Sequence, residues 1–441
     1  MASKMMKVSI TRRDTIKPSS PTPVNLKIFK LSLLDQVQVT NYAPVVLFYP
    51  ANNVHVLENM LLQRIQRLKI SLSEALTQYY HFAGRFIDQT SIECNDQGAE
   101  FVEARVNCSL SAVLGQLDIS QLEILFPGDP KALLTTEDFL LAVQANVFEC
   151  GGMAIAICLT HKIVDAGSYF TFVKKWAAIA RDSDNHVLPD LTIASSLFPP
   201  RDCVLPTFEF PREKCVARRF VFNPSSIAAL KAKCATTSVQ RPTRTEVVVA
   251  LLWKCLITTS RSLGGDSSQY LCTRAVNLRR RFSPPLPEHT VDNLLASLVL
   301  LMKVEDKNDL ELHSIVFLLR KRLQEFSFEQ GQNIFGETNT EMMELVSKES
   351  AHYFCVTTSC GMPIYEADFR WGKPIWINVF NLLMSNLVIL NDTREGNGIE
   401  AIMYLTEEEM GVFERNQALL AFATLGHNIF EDSSTTSTSR L

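Results

Sequence analysis

The sequence has no hydrophobic run long enough to cross a membrane. Its longest strongly apolar stretch, 293–302, has about half of the ~20 residues that a membrane-spanning helix requires. The N-terminal stretch carries basic residues but no continuous apolar segment, and so it does not resemble a secretory signal. We therefore expect a cytoplasmic protein that has no membrane partner.

Paired cysteines are also missing. The 11 cysteines are scattered singly along the chain, and no two of them form a CxxC pair. This spacing argues against a zinc site and against a disulfide framework, and it favours free thiols in a reducing compartment. We expect no bound metal.

The composition favours a two-domain protein that binds small molecules. The formal net charge of -4 at pH 7 gives no general attraction to nucleic acid. A chain of 441 residues exceeds the usual size of one domain, and its 46% hydrophobic content is enough for two cores. We expect a monomer whose partners are small molecules.

The familiar motifs of covalent and nucleotide chemistry are absent from the sequence. There is no GxSxG elbow, no HExxH helix, and no Walker or GxGxxG loop. A Cys–His pair stays open, because cysteines are numerous although none lies in a recognisable signature. Covalent catalysis is therefore the less favoured scheme.

One histidine lies in a setting that is typical of an active site. The strand-like run 152–160 ends at His161, and Asp165 and a helix rich in aromatic residues follow. An imidazole held by a rigid strand is well suited to take a proton from an attacking hydroxyl or amine. The same HxxxD spacing recurs at His186 in a proline-rich stretch, so the spacing alone does not identify the site. A core histidine bonded to a backbone carbonyl is the alternative interpretation.

Candidate hairpins mixed with helices predict an α+β fold. One hairpin is expected between the apolar segments 140–150 and 152–161, which meet at the glycine pair 151–152. A second is expected between 91–96 and 100–106, with a turn at 96–98. Residues 24–36 and 45–50 are predicted to be short strands.

A second unusual stretch is YEADFRWGKP, from Tyr365 to Pro374. Aromatic anchors and a glycine suit a loop that packs onto the core, so a structural role is favoured there. Together, HKIVDAG and DFRWGKP resemble the signature pair of the plant BAHD acyltransferases, HxxxD and DFGWG. The resemblance covers nearly the whole chain, through SSPTP, LDQ, HFAGR and AVNLRRRFSPPLP, and it is greatest to the alkaloid and terpenoid acetyltransferases of the family.

This resemblance implies an α+β fold of two chloramphenicol-acetyltransferase-like domains, each a mixed β-sheet with flanking helices, with a channel between them. The first domain would span 1–195 and would be completed by about 361–382. A crossover linker would span 196–215, and the second domain 216–441. His161 would be reachable from both mouths of the channel.

The resemblance also implies a reaction. An acyl group, expected to be acetyl, would pass from acyl-CoA as co-substrate to a hydroxyl of an alkaloid or related plant metabolite, without a permanently bound cofactor. His161 would be the general base, and no acyl-enzyme would form. The alternatives are a hydroxycinnamoyl or malonyl donor, and a catalytically silent relative that acts as a binding protein.

Other site residues follow from the same resemblance. Asp165 belongs to the catalytic motif and would pair with an arginine, either Arg279 or, as second choice, Arg281. Structural support would come from Arg279 and from the DFGWG-like loop, through Asp368, Trp371 and Gly372. The residues expected near the acyl-CoA path are Thr243, Thr245, Asn293 and Ser359.

Three positions depart from the family pattern. Arg370 occupies the usual glycine of DFGWG, and it would strain the loop if that glycine needs a positive φ. Cys360 stands in place of a tryptophan that lines the pocket in many members, which should widen the site. In the triplet FGN, which reads VDN here, Asn293 is retained and Asp292 is introduced.

Overall fold

Two large β-sheets and one small sheet organise the part of the protein that the structure describes. The computed structural model describes residues 6–51, 58–183, 187–202, 214–265, 269–304, 308–325, 352–380 and 384–430. The strands are β1 (Val8–Ile16), β2 (Ile28–Lys30), β3 (Tyr42–Tyr49), β4 (Arg85–Phe86), β5 (Ser91–Glu93), β6 (Ala99–Val106), β7 (Leu141–Phe148), β8 (Met153–Thr160), β9 (Cys215–Phe222), β10 (Gln269–Asn277), β11 (Leu295–Lys303), β12 (His352–Thr358), β13 (Trp376–Val379), β14 (Leu387–Asp392), β15 (Ile399–Thr406) and β16 (Thr424–Leu425). The α-helices are α1 (Leu33–Gln36), α2 (Glu58–Gln78), α3 (Leu110–Gly115), α4 (Ala166–Ala180), α5 (Ile193–Leu197), α6 (Pro224–Cys234), α7 (Arg244–Ser262), α8 (Leu312–Glu325), α9 (Glu407–Phe413) and α10 (Gln417–Leu420).

The first sheet has the strand order β1-β6-β7-β8-β3-β13. Its pairs are antiparallel except for the parallel pair β6 and β7. The helices α2 and α4 pack against each other and bury an apolar face against this sheet. Every residue of β7 and β8 is buried, as expected for central strands that are covered on both faces.

The second sheet has the order β11-β10-β12-β14-β15-β9-β16 and is also mixed, because β12 runs parallel to both of its neighbours. The helices α6, α7 and α8 cover it, and the buried side chains of α7 form the centre of its core. Each large sheet therefore has its own core and its own helices, which is the expected α+β arrangement. Within the described part of the chain, no helix is long and apolar enough to span a membrane.

The chain crosses between the two units more than once. The late strand β13 joins the edge of the first sheet, where Ile377 pairs with Leu47 of β3. The domain boundaries that the resemblance implies, 1–195 and 216–441, stay a proposal. Most of the expected linker, 196–215, lies outside the described residues, because 203–213 are not described.

An apolar cluster between the two large sheets holds the units together. It includes Phe48 of β3 and Ile389 of β14. Beside it, the indole Nε1 of Trp376 on β13 donates to Glu400 Oε2 on β15 at 2.9 Å. Glu400 also accepts two hydrogen bonds from the buried guanidinium of Arg219, at 2.9 and 2.8 Å. A buried carboxylate thus ties an edge strand of one sheet to two strands of the other.

The structure confirms one predicted hairpin and overturns the other. The strands β7 and β8 pair antiparallel around a turn in which Gly151 has φ +79°. The turn predicted at 96–98 exists, with positive φ at Asp96 and Gly98, but β5 and β6 do not pair with each other. They belong to different sheets, because β6 pairs with β1 and β7 instead. Within 24–36, only Ile28–Lys30 is a strand, and Leu33–Gln36 is helical.

His81 gives this fold a sensitivity to acid. Its ring stacks on Phe29 with centroids 4.6 Å apart, and both ring nitrogens are buried without a hydrogen-bond partner among the described residues. Burial lowers the pKa of His81 from 6.5 to about 3. Between pH 6.5 and about 3, the unfolded chain therefore binds a proton at His81 that the folded chain does not bind. The contribution of His81 to stability is fully present above pH 6.5 and is lost progressively as the pH falls below it.

We expect the free energy of unfolding to fall by about 1.4 kcal/mol per pH unit from this one group. Urea unfolding measured at several pH values below neutrality checks the slope. In His81→Phe the slope should decrease by this amount, while stability at neutral pH is kept, since the ring position is apolar. An unchanged slope in that variant would show that the ring is protonated in the folded state.

Candidate active site

Strand β8 delivers His161 to the end of the first sheet. Two residues distant in sequence hold the backbone of His161. Its N–H donates to the carbonyl of Asn41 at 2.8 Å, and its carbonyl accepts from Asn293 Nδ2 at 2.9 Å. The following residue, Lys162, is also held in place, because its buried ammonium donates to the carbonyls of Gln36 and Gln38 at 3.1 Å each. The peptide that carries the imidazole is therefore fixed on both faces.

The imidazole of His161 favours its neutral form. Burial lowers its pKa from the usual 6.5, and its own backbone carbonyl and the charge of Asp165 offset this only in part. Nδ1 is buried and has no hydrogen-bond partner of normal geometry among the described residues, whereas the residue as a whole is partly exposed. A neutral imidazole at neutral pH is the form that can accept a proton.

Asp165 does not point at His161 but caps helix α4. Its Oδ1 accepts from the backbone N–H of Ser168 at 2.8 Å, which is the usual N-cap contact. Its Oδ2 accepts from Arg279 Nη1 at 2.6 Å and from the backbone N–H of Leu294 at 2.9 Å. Burial alone would raise the pKa of Asp165, but the charge and hydrogen bond of Arg279 outweigh it and hold that pKa below its usual range.

Arg279 is saturated with buried partners. Besides Asp165, its guanidinium donates to the carbonyls of Thr290 and Asp292 and to the hydroxyl of Ser168, at 3.1, 3.0 and 2.8 Å. The family resemblance named this arginine first. Arg281, the second choice, is exposed. The pair links helix α4, which follows His161, to the loop before β11.

The glycine of HKIVDAG has a steric reason. A Cβ added to Gly167 would lie 3.1 Å from Arg279 Nη1 and 3.3 Å from Asp165 Oδ1. Both distances are tighter than ordinary carbon contacts, so a larger residue would push the ion pair apart. The motif thus needs a residue without a side chain at the second position after the aspartate.

Asn293 connects His161 to another buried carboxylate. Its backbone N–H and its Nδ2 both donate to Asp35 Oδ1 at 2.9 Å. The same Nδ2 also donates to the carbonyl of His161. The other oxygen of Asp35 accepts from the backbone N–H and hydroxyl of Ser32, in the capping box that begins helix α1. The amide nitrogen of Asn293 is thus committed to protein partners.

Asp292, near the site, combines two energetically unfavourable features. Its side chain is buried, neither carboxyl oxygen has a hydrogen-bond partner among the described residues, and its φ is +103°. Burial, together with the nearby Asp35, raises its pKa well above the usual value, against the pull of Arg279. Both the backbone and the carboxyl are in states that normally cost free energy.

Replacing this residue with glycine should therefore stabilise the protein. Asp292→Gly removes the strained φ and the unpartnered acid, and we expect the free energy of unfolding to rise by about 1–3 kcal/mol. Asp292→Asn keeps the backbone strain and an unpartnered polar group, so it should gain less. Thermal and urea unfolding of the three proteins compare them. A glycine variant less stable than the wild type would mean that the side chain has a stabilising partner after all.

The DFRWG loop packs onto the first core and not onto His161. Asp368 Oδ1 accepts from the backbone N–H groups of Arg370 and Gly372, both at 2.9 Å. Trp371 stacks on Phe369 with centroids 5.8 Å apart, inside the core of the first sheet. Arg370 has φ +90°, a backbone conformation that favours glycine, so arginine is strained at this position. The Arg370 guanidinium pairs with Asp182 at 2.5 Å on the surface.

The other residues expected on the acyl-CoA path lie at or near the start of helix α7. Thr243 is the N-cap of α7 and Thr245 lies in its first turn. Between them, Arg244 pairs with Asp392 at 3.0 Å. Ser359 lies beside this pair, because its hydroxyl donates to Asn391 at 2.6 Å. Thr243, Thr245 and Ser359 are thus next in sequence to the residues of the Arg244–Asp392 pair or bonded to a neighbour of that pair, and in the described part of the protein no hydrogen bond links them to His161.

Sequence reasoning missed some of the residues that fix the site. Asp35, Ser168 and Asn41 were not expected there, although the Ser-x-x-Asp pattern of a helix start was visible at 32–35. Only the fold shows that Asp35 reaches Asn293. No group of three or more metal-ligating side chains occurs among the residues that the structure describes.

The arrangement of sheets matches a solved enzyme structure. The crystal structure of vinorine synthase aligns with a TM-score of 0.84 at 33% identity, over 96% of this chain and 100% of that chain. Fold and site therefore define a two-domain acyltransferase with two mixed sheets. The sequence model of the protein family described as the Transferase family matches residues 6–420. The chain belongs to this family, the BAHD acyltransferases.

Characterised relatives include several plant enzymes. Akuammiline synthase 1 of Alstonia scholaris is 38% identical, over 93% of this chain and 96% of its own length. Stemmadenine O-acetyltransferase of Catharanthus roseus is 36% identical, over 92% and 96%. The 17,18-epoxy-17-hydroxycur-19-ene N-malonyltransferase of Strychnos nux-vomica is 35% identical, over 95% and 91%.

Proposed function

We propose that this acyltransferase moves an acetyl group from acetyl-CoA to a hydroxyl of an alkaloid or related plant metabolite, with His161 as general base. The observation that carries the proposal is the partly exposed, neutral imidazole, whose backbone is fixed from both sides at the end of β8. The similarity to stemmadenine O-acetyltransferase supports the choice of acetyl and of a hydroxyl acceptor. The sequence resemblance to the alkaloid and terpenoid acetyltransferases of the family supports the class of the acceptor.

The proposed reaction is a direct transfer. Since Nδ1 of His161 is buried, Nε2 is the nitrogen left to take the acceptor's hydroxyl proton. As the proton moves, the acceptor oxygen attacks the thioester carbonyl carbon, and a tetrahedral intermediate forms. The carbon–sulfur bond then breaks, the ester is released, and the imidazolium returns the proton to the CoA thiolate. The imidazole ends neutral, and no acyl-enzyme forms.

In this proposal, Asp165 and the loop around Asp368 stabilise the structure and do not contact the reacting groups. Asp165 holds the turn after His161 through Arg279 and does not exchange protons. Asp368, Trp371 and Gly372 hold a loop against the first core. Thr243, Thr245 and Ser359 would lie along the acyl-CoA path near the start of α7. Asn293 would lie at the end of this path that is near His161.

A malonyl donor is the second candidate. It is favoured by the similarity to an N-malonyltransferase, whose identity to this chain is close to that of the acetyltransferase relative. Cys360, partly buried at the position where the family pattern has a tryptophan, leaves more room for a longer acyl chain. The hydroxycinnamoyl donor has no such relative among those described above.

A donor and acceptor panel tests the proposal. Purified protein is incubated with acetyl-, malonyl- and coumaroyl-CoA and with hydroxylated alkaloids and terpenoids, while free thiol is measured and products are identified by mass. We expect acetyl ester formation with at least one hydroxylated alkaloid. Turnover with malonyl-CoA alone would select the second candidate, and the absence of turnover with every pair would contradict the proposed function.

The pH dependence of the reaction follows from the lowered pKa of His161. Because the neutral ring is required, and because its pKa is shifted downward, the acidic limb of log kcat/KM should have its midpoint below pH 6.5. Initial rates from pH 5 to 8 with a saturating donor measure it. A midpoint clearly above 6.5 would mean that a different group accepts the proton.

We also propose that the protein acts as a monomer in the cytoplasm. Buried cysteines of the described ranges, such as Cys94, Cys158 and Cys272, are free thiols, as suits a reducing compartment. Size-exclusion chromatography with light scattering tests the first point, and a fluorescent fusion in plant cells tests the second.

A further inference from the structure

Asp35 lies far from His161 in sequence, yet one residue separates them in the hydrogen-bond network. Its Oδ1 accepts two hydrogen bonds from Asn293, and the same Asn293 amide donates to the carbonyl of His161. All three distances are 2.9 Å. Both Asp35 and Asn293 are fully buried, so water does not compete for these contacts.

The two oxygens of the Asp35 carboxylate have different tasks. Oδ2 accepts from Ser32 and closes the capping box of α1, a helix of four residues. Among the residues that the structure describes, Oδ1 accepts hydrogen bonds only from Asn293. Removing the acceptor at Oδ1 would free the Asn293 amide to rotate, and the His161 carbonyl would lose its donor. The capping contact and the Asn293 contact can therefore be tested separately.

The surroundings of this carboxylate are otherwise poor in charge. Lys162 and Asp292 are the ionisable groups whose interaction with Asp35 is evident, and the Lys162 ammonium is engaged with the carbonyls of Gln36 and Gln38. No cation forms an ion pair with Asp35 in the described residues. A buried carboxylate without a counter-ion is a cost that stability alone does not explain.

We propose that Asp35 is a positioning residue for His161, which it holds through Asn293. This inference rests on the proposed function of His161 as general base. The relay fixes the peptide plane from which the imidazole projects, and so it sets the direction of Nε2 toward the acceptor hydroxyl. The relay links the loop before β11 to the segment that precedes β3. Both regions hydrogen-bond to the backbone of His161 at the end of β8, through Asn293 and Asn41.

Kinetics of four single variants and one double variant test the relay. Asp35→Ala and Asn293→Ala should each lower kcat by about 10- to 100-fold with the KM of the acceptor within about threefold, since misplacement of a reacting group costs rate and not affinity. The double variant should be no slower than the worse single variant, because both act through one contact. Asp35→Asn keeps an acceptor toward Asn293 and should recover most of kcat, and Ser32→Ala, which removes only the capping hydroxyl, should retain it.

A control separates this relay from the loss of any carboxylate that accepts hydrogen bonds. Asp96, which is partly buried and pairs with Lys27 at 2.9 Å, also accepts from a backbone N–H and a hydroxyl, both of Thr22, at 3.0 and 2.5 Å, and it lies in the loop between β5 and β6. Asp96→Asn should keep wild-type kcat. Multiplicative losses in the double variant, or a Ser32→Ala variant as slow as Asp35→Ala, would overturn the proposal in favour of a capping role.

A second readout does not depend on turnover. In protein labelled with ¹³C at histidine Cε1, the His161 resonance is assigned by its loss in His161→Ala, and its titration is followed by NMR. Asp35→Ala should move the His161 titration, whereas Asp96→Asn should leave it in place. An unmoved titration in folded Asp35→Ala overturns the relay even if the enzyme is active, and a moved one supports it even if the donor and acceptor panel fails.

Discussion

Changing His161 to alanine should lower kcat by about 10²- to 10⁴-fold, the usual contribution of a general base. The loss falls on kcat because the acceptor can still bind but its proton has no acceptor of suitable pKa. The fold should survive, since His161 is partly exposed and its backbone contacts to Asn41 and Asn293 do not need the ring. Thiol release from acyl-CoA in the presence of acceptor measures the effect.

A sequence-matched variant sharpens this test. His186 has the same HxxxD spacing as His161 but lies outside the described residues, in a proline-rich stretch. His186→Ala should keep the wild-type rate. Thiol release that continues undiminished in His161→Ala would show that His161 is not the general base. A loss of turnover in His186→Ala would show that the wrong histidine had been chosen.

Breaking the Asp165–Arg279 pair should destabilise the protein by about 3–5 kcal/mol, because each member would leave the other buried and unpaired. Both side chains are about 5% exposed (6% for Arg279 and 4% for Asp165), so solvent cannot replace the lost partner. Asp165→Ala also removes the cap of α4 and the acceptor for the Leu294 N–H. Urea unfolding of Asp165→Ala and Arg279→Ala measures the loss.

A double replacement distinguishes stability from function at this pair. Asp165→Leu combined with Arg279→Met removes both charges at similar volume, and it should recover part of the stability lost by either alanine variant. Activity should stay low, because the turn that holds His161 loses its anchors. Arg281→Ala is the control, since Arg281 is exposed and should tolerate the change. If Arg281→Ala were as destabilising as Arg279→Ala, the buried pair would not carry the effect.

The sequence predicts those parts of the site in which structure is local. The run before His161 is a strand because its alternating small and branched residues fit a buried sheet, and the next helix starts where Asp165 can cap it. The hairpin β7–β8 was predictable for the same reason, since its two apolar runs meet at a glycine turn. The hairpin proposed at 96–98 failed because a turn fixes a change of direction but not which strands pair.

Long-range contacts are what local patterns do not contain. Asp35 and Asn293 are 258 residues apart, and their contact depends on how the loop before β11 docks against α1. The family resemblance supplied Arg279 as the partner of Asp165, whereas composition and spacing alone did not. Asp292 was visible as a departure from FGN, but its φ of +103° is a property of the folded loop.

The late return of the chain to the first sheet has a consequence for synthesis. The core around α2 and α4 includes Ile364, Phe369, Trp371 and Ile377, and the edge of its sheet is β13. Most of this unit leaves the ribosome long before those side chains exist. Until they are translated, β3 presents an unpaired edge and Tyr49 lacks its acceptor at Ala367. We therefore expect the nascent polypeptide to be prone to self-association while roughly two hundred further residues are added between the end of α4 and β13.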